Sequence, residues 1–295
     1  NTLDTVKSLK DPKIRIYKNK HNLGYPGNLE AGRQHCLGDI LFLMGQDDIL
    51  APGALRKTES VFKKYPEVGA LTRPYYWFDQ DINIPVRAKK QLNPDKDEIV
   101  TIKSDKQKVI RVFETLDQLS GLAYRTKFFD TPFHPDIFPC HIYPFASIFK
   151  NHPVYFTKDY TIAVRIGSSQ TRHISSIYDK SPMLSWVQMI ENIFPQSQYP
   201  KQNNYLIKDF IARNYVGLVQ LRNYSHYRYV IREIYYLIKF RPLNLLSLQF
   251  WFFSLGTLIM PPSLLIPLVD WYKNHVYART ISQIRLSNIN DLKLA

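Results

Sequence analysis

The sequence predicts an α/β fold, a doubly wound Rossmann-like sheet followed by a helical region, and three observations lead there. Short apolar runs of strand length alternate with helical patterns between Lys13 and Val68, the order that builds parallel sheets with helices on their faces. The run Ile40 to Met44 is wholly apolar, as expected of a strand covered on both faces. A polar, acidic turn, Gly45 to Ala51, follows it directly, where open α/β sheets bind ligands.

The elements read in order as follows. Lys13 to Tyr17 alternates apolar and polar residues and predicts a short strand. Asn22 to Gly27 predicts a loop, because Gly24, Pro26 and Gly27 interrupt regular structure. Asn28 then stands as the N-cap of a helix over Leu29 to Cys36. After the Ile40 strand, Pro52 suits the first turn of a helix reaching about Lys64. A further strand is expected at Val68 to Leu71. From Trp77 to Lys108 the chain is charged and weakly periodic, which predicts a long excursion or lid. A helix over 109 to 118 and a strand at Leu122 to Tyr124 follow. His134 to Pro144, rich in proline and aromatics, is an ordered loop or bulged edge. Strands are expected at Val154 to Phe156 and Thr161 to Ile166, then helices at 182 to 194 and 204 to 239. This divides the chain into an α/β unit over 1 to 180 and a helical unit over 181 to 295.

Composition limits the function classes. With 45% apolar and 22% charged residues, the chain has the material for a packed core, which excludes a mainly disordered protein. A net charge of +14 attracts phosphate-rich partners without choosing among nucleic acid, anionic lipid and sugar nucleotide. Cys36 and Cys140 stand far apart with no CxxC, which argues against a disulfide framework or structural zinc. No helix-turn-helix, RNP or zinc-finger signature accompanies the charge, so a nucleic-acid partner is not expected.

The stretch Pro242 to Val269 carries no charged residue and has the length of a membrane span. Pro261 and Pro262 divide it, however, and basic residues flank it on both sides, Lys239 and Arg241 before, Lys273 and Arg279 after. A crossing helix would show charge asymmetry. The expectation is a hairpin at about 242 to 269 lying in a membrane leaflet with Trp251, Trp271 and Tyr272 at headgroup level. A buried helical pair or an oligomer interface is the alternative.

The chemistry centres on Asp47 and Asp48. Adjacent acids at a strand's C-terminal end can hold a divalent cation that neutralises a diphosphate leaving group. They can equally cap the helix after Pro52. Arg165 and Arg172 could pair diphosphate oxygens, with Ser169 or His173 completing a metal or phosphate site; solvated surface arginines are the plainer alternative. Gly121, after Ser120, would permit close approach of a substrate or mark a bulge.

The ordered set Asn22, Gly24, Asn28, Gly38, Asp39, Asp47, Asp48, Leu50 and Pro52 resembles the middle of the family 2 glycosyltransferases, whose fold is the GT-A, nucleotide-diphospho-sugar transferase type. The resemblance implies an inverting transferase that moves a sugar from a nucleotide-sugar donor to a cell-envelope glycan or lipid-linked acceptor. It implies donor contacts at Asn22, Gly24, Asn28, Asp47, Asp48, Arg165 and Arg172, acceptor contacts at Ser120 and Gly121, and a Mg2+ or Mn2+ ion at Asp47 and His173. The catalytic base falls to His141, nearest the usual position, or to Asp136; either could instead simply order the proline-rich loop. Two departures stand out. Gly45 replaces the first acid of the family's Asp-x-Asp, which puts metal dependence in question. The first strands, with a Pro-x-Tyr-Asn and a base-holding Asp, are absent before Asn1, so the chain reads as a fragment. With its basic aromatic helices, such a protein is expected at an anionic membrane surface, peripheral or monotopic on the cytoplasmic face of a bacterial inner membrane. A catalytically inactive membrane scaffold derived from a transferase is the competing reading, and a basic nucleic-acid-binding protein fits less well.

Overall fold

The structure, a computed structural model, describes residues 2–167, 172–173 and 175–287. Its strands are β1 (Ile40–Phe42), β2 (Ile49–Leu50), β3 (Ala70–Thr72), β4 (Tyr76–Phe78), β5 (Pro85–Ala88), β6 (Glu98–Val100), β7 (Ala123–Arg125), β8 (Val154–Phe156) and β9 (Ile162–Arg165). The helices are α1 (Thr2–Ser8), α2 (Gly24–Gln34), α3 (Ala54–Lys64), α4 (Lys106–Glu114), α5 (Ile142–Asn151), α6 (Pro182–Ile193), α7 (Pro200–Tyr205), α8 (Val216–Tyr224), α9 (Tyr227–Phe240), α10 (Leu248–Ile259), α11 (Pro262–Tyr272) and α12 (Ala278–Thr280).

Two mixed sheets carry the α/β part. The larger runs β1-β7-β3-β8-β6 and the smaller β2-β9-β4-β5. Only β3/β8 and β4/β9 pair in parallel, the other described pairs being antiparallel, so the expectation of a largely parallel sheet is corrected. Alternation along the strands still gives the larger sheet two apolar faces. Ala70, Tyr124, Val154 and Phe156 face the main core with α4, α5 and α6, while Leu71, Ala123 and Tyr155 face Val61 and Phe62 of α3. The caps follow the residue types: Asp105 accepts from Gln107 N at the start of α4, and Ser181 from Leu184 N before Pro182 opens α6.

Several local expectations change. Lys13 to Tyr17 forms no strand; no partner strand is described beside it, and Ile14, Ile16 and Tyr17 are exposed, Tyr17 stacking on His35. Alternation without a ladder partner leaves the backbone groups to water. Helix α2 begins at Gly24, so Asn28 lies inside it and the cap at Leu23 has no side-chain bond. Pro26 is compatible because the first turn needs no N–H. Pro52 precedes the helix, whose N-cap is Gly53 at φ 79°. β1 lies at one end of the strand order, with Met44 beyond it exposed, rather than buried on both faces. The segment read as a lid, Trp77 to Lys108, contains the end of β4 and all of β5 and β6, with Phe78, Val86, Val100 and Ile102 buried.

The helical part begins at α6. The stretch 204 to 239, expected as one helix, breaks after Arg213 and again at Ser225. Buried Asn244 bridges the first break, donating to Ala212 O and Leu237 O while accepting from Tyr215 Oη at 2.6 Å. No helix among the described residues is long and apolar enough to cross a membrane. The charge-free stretch is instead two helices, α10 and α11, parted at the Pro261–Pro262 pair.

Candidate active site at the crossover between the two sheets

Backbone pairing past the end of β1 sets the site. Leu43 N donates to Leu122 O and Gly121 N to Leu43 O, both at 2.9 Å, which lays the turn Gly45 to Asp48 against Gln118 to Gly121. The chain then enters β2 in the other sheet, so Asp48 stands at the crossover. Its Oδ2 accepts from Ser120 Oγ at 2.5 Å and Gln118 Nε2 at 2.8 Å, and its Oδ1 accepts from Arg165 N at 3.0 Å. Gly45 N donates to the same Ser120 Oγ at 2.7 Å. Burial pushes the Asp48 carboxyl above its usual range, with Asp47 adding to it, against the opposing pull of the three hydrogen bonds. Asp48 thus holds both sheets and the turn together, and its acceptor capacity is largely spent on protein donors.

The glycine at 45 follows from this packing. A Cβ there would lie 2.9 Å from Asp48 Oδ2, 3.1 Å from Ser120 Oγ and 3.3 Å from Asp47 Oδ1. The volume that an acid at 45 would need is filled by the two acids that follow it. Asp47 is half-buried beside Gly45, its Oδ1 3.3 Å from where a Cβ on that glycine would lie.

Beside this turn stands a second polar cluster that sequence reading missed. Asp117 accepts from Tyr75 Oη and, at 2.7 Å, from Lys89 Nζ. Lys89 N bonds Tyr75 O, Arg87 sits 4.4 Å over the Trp77 ring, and Lys89 lies 6.0 Å from the same ring. Burial works to raise the Asp117 carboxyl, but Lys89 and Arg87 and the bonds from Lys89 and Tyr75 outweigh it and hold it below the usual range. Burial and Arg87 in turn lower Lys89, partly offset by Asp117. Tyr75 feels the charges of both Asp117 and Asp48, and Gln118 connects the two clusters through the chain. Asp117 keeps 37% of its side chain exposed and Lys89 18%, so the pair faces solvent beside the Asp48 turn. The signal in the sequence was faint: alternation at Tyr75, Trp77, Arg87 and Lys89, the two arms of a hairpin hidden in a charged segment.

The remaining sequence candidates sit as follows. Ser120 and Gly121, expected to face an acceptor, face the protein: Ser120 is 3% exposed, and a Cβ on Gly121, at φ 89°, would lie 2.7 Å from Ile162 Cγ1 and 3.0 Å from Arg73 Cδ. The glycine makes room for Arg73, whose guanidinium is buried on Thr161 and Thr58 hydroxyls and over Phe42. His141 is packed away, its Nε2 donating to Leu116 O and its Nδ1 accepting from Tyr25 Oη, each 2.8 Å. Burial pushes it down to about 4, against the bond to Leu116, and neither nitrogen is presented to a substrate. Asp136, in the loop before α5, is buried against α6, accepting from Ser185 Oγ at 2.7 Å and Phe138 N at 3.2 Å. None of these contacts joins His141 or Asp136 to the Asp48 turn.

Asn22 accepts from Gly24 N, and Asn28 from Asn19 Nδ2, both 2.9 Å. Asn28 lines an open groove of about 440 Å³ with Lys13, Arg15, Asn19, His35 and Ile40, at the opposite end of β1 from Asp47. Arg165 has its guanidinium 5.2 Å over Phe78, and Arg172 lies 5.9 Å over Tyr224. His173 Nε2 donates to Gly167 O at 2.9 Å; Ser169 lies outside the described residues. No group of three or more His, Cys, Asp or Glu that could hold a metal ion occurs among the described residues. One carboxylate, Asp47, suits an ion such as Mg2+ that completes its shell with water and substrate phosphates.

Residues 1–128 match the family model described as Glycosyl transferase family 2. This stretch is similar to the family 2 glycosyltransferases. No curated protein matches the chain. The matched stretch contains Asp47, Asp48, Lys89, Asp117 and Ser120, and ends before Asp136, His141, Arg165 and Arg172. The match supports a glycosyltransferase that uses a nucleotide-sugar donor.

Proposed function

We propose that the protein is an inverting, hexosyl-type glycosyltransferase of GT-A architecture that acts on a hydroxyl of a cell-envelope glycan or lipid-linked acceptor. The observation that carries this reading is the meeting of two unlike carboxylates at one crossover. Asp47 lies on the turn pinned by Asp48, and Asp117 is held ionised by Lys89 and partly open to solvent.

The proposed roles follow from these environments. Asp47 lies towards the donor diphosphate; a Mg2+ or Mn2+ ion held by Asp47 and the donor's own oxygens would supply Lewis-acid neutralisation of the leaving group. Arg165, whose backbone is fixed to Asp48, places its positive charge near the same diphosphate. Asp48 shapes the turn. Asp117 takes the acceptor proton in place of His141 and Asp136, as the carboxylate nearest the turn with an open face. In the single displacement, the acceptor oxygen bonds to the anomeric carbon as the bond to the phosphate oxygen breaks. The electron pair leaves with the nucleoside diphosphate and the hydroxyl proton passes to Asp117.

The test is an assay of the full chain against nucleoside-diphosphate hexoses differing in base and sugar, with release of nucleoside diphosphate as readout and product anomers assigned by NMR. Asp47→Ala and Asp117→Asn should each lower turnover by roughly 100-fold or more, and the product should carry the inverted anomer. Full turnover in both variants, or a retained anomer, would overturn the assignment.

A further inference from the structure

Among the described residues, half of the strongly exposed large hydrophobic side chains fall between Leu243 and Val276, a stretch with no charged residue from Pro242 to Val269. They are ordered. On α10 the exposed residues are Leu248 (88%), Phe252 (73%), Leu255 and Ile259 (78%), spaced i, i+4, i+7, i+11, which is one continuous helical stripe. The other face of α10 is closed by Phe250, Ser254 and Thr257, all 2% exposed or less. On α11, Leu264, Leu268 and Trp271 repeat the pattern at i, i+4, i+7, with buried Leu265 about a quarter-turn away round the helix. Both helices pack on α8, so their stripes look outward together. The turn between them is fastened from α8 and α9, with Arg222 Nε donating to Met260 O and Tyr227 Oη to Leu258 O.

Charge names the occupant of this face. From Lys201 to Ser287 there are eleven Lys and Arg against three Asp and Glu, and on the elements before and after the two stripes Arg228, Lys239 and Arg279 are exposed, and Arg241 and Lys273 partly so. A second copy of the chain would bring the same positive charge against itself, whereas an anionic headgroup layer complements it. The helices are about 18 Å and 17 Å long at 1.5 Å per residue, short of the roughly 30 Å of a hydrocarbon core.

We propose that α10 and α11 form a monotopic lipid anchor, lying in the plane of an anionic bilayer leaflet with Phe252, Ile259, Leu264 and Leu268 among the acyl chains and these basic residues at the phosphates. The anchor holds the Asp47–Asp117 crossover at the membrane, where a lipid-linked acceptor is presented. Only that last step rests on the glycosyltransferase reading.

Vesicle flotation of the full chain tests the anchor without any assay of activity. Binding should be strong to phosphatidylcholine vesicles containing about one-third phosphatidylglycerol and weaker by roughly tenfold on pure phosphatidylcholine; salt well above about 0.1 M should narrow the gap through screening. The double variant Phe252→Asp/Ile259→Asp changes only exposed positions, so its circular dichroism should match the parent while its binding falls at least about tenfold. A folded double variant that still floats like the parent would overturn the anchor. So would a dimer in analytical ultracentrifugation that the double variant dissolves, because the stripe would then be a protein interface. Loss of turnover in Asp117→Asn with flotation intact separates failure of the enzymatic reading from failure of this one.

Discussion

Two networks of hydrogen-bonded acids, built from similar residues, serve different ends in this molecule. Around the start of α6, Glu233 accepts from Ser181 Oγ and Met183 N, and Asp136 accepts from Ser185 Oγ, each at 2.7 Å. All of this capacity goes into fixing the start of α6 and the loop before it. At the sheet crossover, Asp48 is spent in the same way, while the Asp117–Lys89 pair beside it keeps a face open to solvent. Residue type is therefore a poor guide to which carboxylate can do chemistry. What separates the two regions is whether the bonded carboxylate keeps a face towards solvent, as Asp117 does, or is buried, as Asp136 and Glu233 are.

Substitutions can break or sharpen that contrast. The largest effect is expected at Asp48→Ala, which strands Ser120 Oγ, Gln118 Nε2 and Arg165 N together. Lost bonds to a charged acceptor and orphaned donors amount to about 3 to 4 kcal/mol, readable as a fall in ΔG from urea unfolding. If Asp48→Ala were as stable as the parent and merely inactive, the crossover acids would be equivalent and the contrast would disappear.

Next comes acid titration of His141, which belongs to the packed region. The unfolded chain takes up this proton near 6.5 and the folded chain only near about 4. Stability from the neutral ring is thus complete above about 6.5 and drains as the pH falls towards 4, at about 1.4 kcal/mol per unit and about 3 kcal/mol in all. His141→Gln should flatten that limb in thermal melts taken between the two values, with little change in turnover at neutral pH. A tenfold loss of turnover there would return His141 to the site.

A smaller effect is expected from Gly45→Asp, which restores the family's first acid. With the Cβ position already 2.9 Å from Asp48 Oδ2, overpacking and like charge should cost about 2 kcal/mol without raising activity. Increased turnover in the presence of added Mg2+ would show that the turn can open to admit the acid. Asp136→Asn is the mildest change. The amide oxygen can still accept from Ser185, so a loss of about 1 kcal/mol and turnover within about twofold are expected, both measurable in one preparation.

The α/β character, the strands at 70, 123, 154 and 162, and helices α4 and α6 were legible because apolar period and caps there agree with the burial that followed. The family resemblance was legible in the order Asn22 to Pro52 and is matched by the family model. The segment from Trp77 to Lys108 was misread because its apolar residues form short hairpin arms, too brief to show a period among so many charges. His141 was misread for a different reason: counting along the chain locates a residue in sequence, whereas the Tyr25 and Leu116 groups that occupy its ring are brought in from 116 and 25 positions away.

By itself the sequence determined which segments can be buried, where the chain must turn, and that an acidic pair follows a central apolar run, since these depend on local spacing and on the chemistry of single side chains. Only the tertiary structure decided which acids are buried and which keep a face to solvent, why no side chain fits at position 45, and that a lysine and an arginine from a hairpin stand beside Asp117. Those outcomes depend on distances between residues remote in the chain, and on burial, which alters a carboxylate's proton affinity and its free acceptor capacity without changing a letter of the sequence.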